Sequence, residues 1–187
     1  MRSNRQIAYY SMYLAIFMFM AMTPFIGFIK IGVLSITTMY IPFIVISIHM
    51  GYKGALMGGF LFGISSFFNG IAYNGAIVAL VGGVGNLFML AVFSRLALGI
   101  LVAITIYLIH KVTKNIFVIV LTITIITLVF NFIFFVGLLA ILSKNTFYFF
   151  LVSSLLNISV EWPLTIFISL SFVPVFKSFE RRNYEGY

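Results

Sequence analysis

Residues 91–110 read "AVFSRLALGILVAITIYLIH". At about 20 residues per crossing this run is long enough to traverse the hydrocarbon core as a helix. Arg95 is the one residue in it that does not belong in lipid. A charge there costs at least about 2.5 kcal/mol even on the more lenient insertion scales, so it needs a partner or a ligand.

The remainder of the chain agrees with a membrane reading. Of its 187 residues 63% are hydrophobic and only 7% are charged, whereas a soluble domain carries about 25% charged residues. The expected fold class is an all-α integral membrane protein, a single transmembrane domain over 1–187. A net charge of +8 spread over so apolar a chain makes no nucleic-acid groove, and its use is to set orientation. With no cysteine there are no disulfides, thiolate metal sites or cysteine nucleophiles. Two histidines and three carboxylates leave an enzyme little to work with, so no catalytic residue and no metal ligand is assigned. The N-terminal run has a basic start and a long apolar part without a clean cleavage pattern, and it reads as a retained first helix.

Crossings are expected at roughly 7–26, 37–50, 53–69, 92–110, 115–141 and 147–176. The second and third are short and joined by "MGYKG" (50–54). Pro163 is expected to kink the last, because its missing N–H leaves the Ser159 carbonyl without a helical donor. The segment 70–91, "GIAYNGAIVALVGGVGNLFMLA", has five glycines and reads as a long apolar outer loop rather than a stable plain helix. Charge supports that choice, since short cytoplasmic loops retain Lys and Arg. Six transmembrane helices with both termini cytoplasmic put Arg2, Arg5, Lys53, Lys111, Lys114, Lys177, Arg181 and Arg182 inside, against Lys30 and Lys144 outside. A seventh crossing at 70–91 would reverse everything downstream and give four inside against six outside. The two outward segments 27–36 and 70–91 are then either lids over a cavity between the helices or surface loops without a role.

Small residues form two stripes. Ala55, Gly59, Gly63, Ser66 and Gly70 share one face of the third helix, suited to close helix packing within the bundle or against a partner. Ala8, Ser11 and Ala15 form a shorter stripe on the first helix, a candidate contact for a partner subunit. Polar groups converge at another level. Asn131 and Asn157 each lie about 15 Å below the outer surface at 1.5 Å per residue, Glu161 shares the Asn157 face, and Arg95 reaches down from slightly above. Two readings stay open. Arg95 and Glu161 neutralise one another while the asparagines tie helices together; or the groups line a cavity for a small polar ligand. In the second, the guanidinium fork suits a carboxylate, the asparagines suit amides and hydroxyls, and Tyr40, Phe68, Tyr73 and Trp162 supply walls. "GGVGN" (82–86) lacks the strand and Lys-Ser/Thr of a phosphate loop. His49 and His110 lack neighbouring acids.

The block "ITTMYIPFIVISIHMGYKGALMGGFLFGISSFFNG" (36–70), followed by "SRLALGIL" (94–101) after an apolar loop, resembles the S-components, the substrate-binding membrane subunits of energy-coupling-factor (ECF) vitamin transporters. That family shows a proline-containing second helix, a Gly-Lys/Tyr-Gly turn and a glycine-rich third helix ending near Phe-Gly-x-x-Ser. The resemblance covers most of the chain and is greatest to the pantothenate type. It implies a bacterial plasma-membrane ABC importer in which this subunit takes a vitamin from outside. Its partners are then a transmembrane coupling protein and two cytoplasmic ATPase subunits, which bind ATP and Mg; this chain itself carries no cofactor. The implied coupling contact is Ala-x-x-x-Ala on helix one, matched here by Ser11-x-x-x-Ala15 with a serine in the first place. Pantothenate, with a carboxylate, an amide and two hydroxyls, suits Arg95, Asn131 and Asn157. A hydroxymethylpyrimidine or pyridoxine-like precursor is the alternative, with Glu161 binding a ring nitrogen or amine. A non-transporting membrane scaffold is the alternative of another class.

Overall fold

A computed structural model of the chain describes residues 2–23, 26–31, 34–143 and 147–184; side chains are described for these except at 2–5, 29–31, 34–36, 147–153, 155–157 and 179–184. Helix α1 spans Arg2–Met22, a stretch without glycine or proline, and the Thr23-Pro24 step that follows cannot continue it. A β-hairpin comes next, β1 at Phe28–Ile31 and β2 at Leu34–Thr37, antiparallel with Phe28 opposite Thr37. Apart from this hairpin the described chain is helical: α2 Tyr40–Tyr73, α3 Gly75–Leu80, α4 Val84–Phe88, a π-turn at Met89–Phe93, α5 Ser94–Val112, α6 Ile116–Ser143, α7 Phe147–Ser171 and α8 Val173–Tyr184. Three stretches are long and apolar enough to cross a membrane: Tyr40–Tyr73, Val84–Val112 and Ile116–Ser143; Gln6–Met22 and Ile158–Ser171 are shorter apolar helices.

The expected second and third crossings form one helical element, α2, broken at Gly51, whose φ of 64° and ψ of −145° no helix contains. Glycine takes that conformation without strain. The two halves then fold against each other: a Cβ on Gly54 would collide with the Ile46 carbonyl oxygen, and one on Gly58 would lie 2.7 Å from Ile46 Cγ2. The first half, 40–50, is about 16 Å long at 1.5 Å per residue, roughly half the bilayer core.

The segment 70–91 is a correction. It is mostly helical rather than a loop: α2 continues to Tyr73, α3 follows, and after a turn at Gly82 (φ 79°) and Gly83 (φ 132°) the chain is helical from Val84 onward. Glycine is poor in a helix interior, but four of the five stand at the ends of these short helices or between them. The last predicted helix also divides. α7 continues through Pro163 and ends at Ser171, and α8 begins at Val173. Pro174 removes the N–H that would continue the helix, and α8 is amphipathic, with Phe176 buried against Ile116 and Val120 at the start of α6.

The stripe on α2 packs internally. A Cβ on Gly59 would fall 2.6 Å from the Arg95 carbonyl oxygen, and one on Gly63 would fall 3.0 Å from Val92 Cα; in return, one on Gly99 of α5 would meet the Ala55 carbonyl at 2.8 Å. Backbones of α2 and α5 thus touch, which only small residues permit. Phe17, Phe43, Phe62 and Leu98 fill the core beside this seam. The Tyr13 hydroxyl lies 2.9 Å from His49 Nδ1 and ties α1 to α2.

Candidate ligand-binding site

A cavity of about 870 Å³, its open mouth included, lies between α2, α5, α6, α7 and the hairpin. Arg95, Asn131, Glu161, Tyr40 and Trp162 all line it.

Arg95 is the second residue of α5 and is only 5% exposed. Its Nη1 donates to Ser94 Oγ at 2.8 Å and to the Leu90 carbonyl at 3.3 Å. Its guanidinium carbon lies 5.3 Å from the Phe62 ring centre and 4.8 Å from that of Phe135. Nε is fully buried with no hydrogen-bond partner, and among the described residues no carboxylate forms an ion pair with Arg95. The magnitudes matter here. Taking an ion out of water costs several kcal/mol, and a desolvated cation–π contact returns about 2 kcal/mol at most in ordinary cases. Two such contacts and a pair of neutral acceptors do not neutralise the charge. Glu161 acts on that charge from across the same cavity without an ion-pair contact, which leaves the guanidinium able to meet an anion held between them.

Asn131, 4% exposed, donates through Nδ2 to the Tyr40 hydroxyl at 2.5 Å, while its Oδ1 has no partner. Tyr40 begins α2, so this bond joins the start of the broken helix to α6. Ser66 Oγ is also buried without a partner. Each such orphan costs roughly 1–3 kcal/mol against a satisfied group. The set therefore offers one charged donor, one amide acceptor and one hydroxyl to whatever fills the space.

Glu161 is engaged differently: Oε1 accepts the Thr37 backbone N–H at 2.7 Å. This bond links the end of β2 to α7. Thr37 Oγ1 in turn donates to the Gly27 carbonyl at 3.2 Å and accepts the Met39 N–H at 3.2 Å, closing the base of the hairpin. Phe28 and Thr37 face the cavity from this hairpin, and Asn74, Ile77, Leu87 and Leu90 face it from the 70–91 segment. Both segments expected to face outward thus border the cavity, although the second does so mostly as helix.

Two expected wall residues do not. Phe68 is 48% exposed and packs on Phe67. At 100° per residue it lies about 200° from Ser66 and from Gly70, both of which face the cavity. Tyr73 sits beyond the wall, where its hydroxyl donates to the Met22 carbonyl at the end of α1. The Asn157 side chain lies outside the described residues. Several lining residues escape the sequence reading: Thr37, which acts through its backbone, and Ser66, Asn69 and Phe135. Spacing assigns Ser66 only to the packing stripe, and Asn69 is the polar residue next to it. Phe135 follows Asn131 by four and so shares its face.

Comparison of the chain with protein-family models and with curated proteins finds no match.

Proposed function

We propose that this chain is the vitamin-binding S-component of an ECF importer and that its ligand is pantothenate, taken from outside. The observation that supports this reading is the buried Arg95 guanidinium, which borders a cavity, leaves Nε without a hydrogen-bond partner and makes no ion pair with a described carboxylate. In this reading the pantothenate carboxylate meets Arg95, its amide and hydroxyls meet Asn131, Ser66 and Tyr40, and its branched carbons lie against Trp162 and Phe132. Asn157, on the same stretch of α7 as Glu161, is a further proposed contact.

In this proposal the six membrane segments are α1, the two halves of α2, the helix from Val84 to Val112, α6 and α7, the first half of α2 reaching through only about half of the core by itself. Both termini are cytoplasmic by the distribution of Lys and Arg. Ala8, Ser11 and Ala15 are all exposed on α1, which supports their proposed contact with a coupling protein. ATP is hydrolysed by partner subunits, and this chain is not an enzyme. Glu161 lines the same cavity and favours a second ligand, an amine or ring nitrogen as in an aminopyrimidine or pyridoxine.

Titrating the purified chain with labelled pantothenate, hydroxymethylpyrimidine and pyridoxine decides between them. Pantothenate is expected to bind, and Arg95→Ala to weaken it by at least about 100-fold, the loss of two charge-assisted hydrogen bonds. Undiminished affinity in that variant would falsify the acid clamp. A scaffold would bind none of the three.

A further inference from the structure

The backbone immediately before Arg95 is a π-turn, Met89–Phe93, a local insertion often found at functional sites. The Leu90 carbonyl accepts there from two side chains at once, Ser94 Oγ at 2.5 Å and Arg95 Nη1 at 3.3 Å. Ser94 Oγ also accepts from Arg95 Nη1 at 2.8 Å. One arm of the guanidinium is therefore tied back to its own helix, and Phe62 and Phe135 rest against the group. Nε has no hydrogen-bond partner, and both hydrogen bonds described for the guanidinium are made by Nη1, none by Nη2. The Nε and Nη2 N–H groups share one edge of the planar guanidinium, the spacing of which matches both oxygens of a carboxylate. An alcohol offers that edge a single oxygen without charge.

We propose that Ser94 is a positioning residue that sets specificity: by holding Arg95 Nη1 on the π-turn it leaves the Nε–Nη2 edge for the ligand, so the cavity selects a carboxylate over the alcohol of the same skeleton. Ser94 does not line the cavity and is 1% exposed, so it acts through Arg95 and not by touching the ligand. The inference rests on the reading of the cavity as a site for an acid.

The test compares pantothenate with pantothenol, its uncharged alcohol, on the wild type, Ser94→Ala and Ser94→Thr by calorimetric titration, with the unliganded melting temperature of each variant recorded. The wild type is expected to prefer the acid by at least about 100-fold. Ser94→Ala is expected to lose about tenfold in affinity for the acid, the effect of one charged hydrogen bond, with the alcohol unchanged. Ser94→Thr keeps a hydroxyl that can bond the Leu90 carbonyl and is expected to retain the preference. Parallel losses for acid and alcohol, or no change for either, would overturn the positioning role. If the wild type binds neither compound, the pantothenate reading fails instead. Thermal shifts with short hydroxy acids and their alcohols then still test Ser94: the proposal stands if the acids alone stabilise the wild type and Ser94→Ala abolishes that preference.

Discussion

Arg95 and Asn131 show how a membrane interior makes single atoms consequential. Neither Nε of Arg95 nor Oδ1 of Asn131 has a partner among the described residues. Asn131→Leu removes the free acceptor and also leaves the Tyr40 hydroxyl without its donor. Pantothenate affinity is expected to fall about tenfold, as for one buried neutral hydrogen bond with an orphaned neighbour, read by calorimetric titration. These residues are legible in the sequence, because a charge or amide inside an apolar run is conspicuous. The pairing is not. Arg95 with Glu161 and Arg95 with an external acid are equally compatible with the depths that helix rise assigns, and only side-chain placement separates them. It shows Glu161 on the Thr37 N–H and no ion-pair contact with Arg95, the two charges acting on one another only across the cavity.

At the scale of elements, close helix packing and the hairpin latch are each open to a direct test. Gly59 stands where α2 meets α5 backbone to backbone, with the Arg95 carbonyl oxygen 2.6 Å from where an alanine methyl would sit, whereas a Cβ on Gly137 of α6 meets nothing within 4 Å. Gly59→Ala is expected to cost about 1–3 kcal/mol by overpacking, and Gly137→Ala to be neutral or slightly stabilising. Thermal unfolding in detergent measures both; equal melting temperatures for the two would contradict the seam. Glu161→Ala releases the Thr37 N–H and with it the base of the hairpin. Ligand dissociation is expected to quicken about tenfold, given the strength of a hydrogen bond to a carboxylate, as followed by chase with unlabelled ligand. The α2–α5 seam and the Gly51 turn are readable from small-residue spacing and "MGYKG". The π-turn is not, since one inserted backbone residue leaves an apolar stretch just as apolar.

At the scale of the molecule, orientation is the property most directly checked. The chain has no cysteine, so single introduced thiols report without background. In intact cells a membrane-impermeant maleimide is expected to label Val84→Cys, an exposed position in the 70–91 segment, which the proposed topology places outside. Lys114→Cys, in the exposed α5–α6 connection, is expected to react only after permeabilisation. The reverse pattern would invert the topology and place the cavity mouth on the wrong side for uptake.

Composition and apolar run length by themselves determined that this chain is helical and suited to a membrane, because burying peptide groups in lipid requires them to be bonded within each segment. Spacing along single helices likewise determined the seam and the turn. Tertiary structure alone decided that the 70–91 segment is mostly helix, that Phe68 points away, and that Glu161 holds the hairpin rather than forming an ion pair with Arg95. Those outcomes depend on contacts between residues far apart in the chain, such as Thr37 with Glu161 and Tyr40 with Asn131, and no local periodicity encodes them.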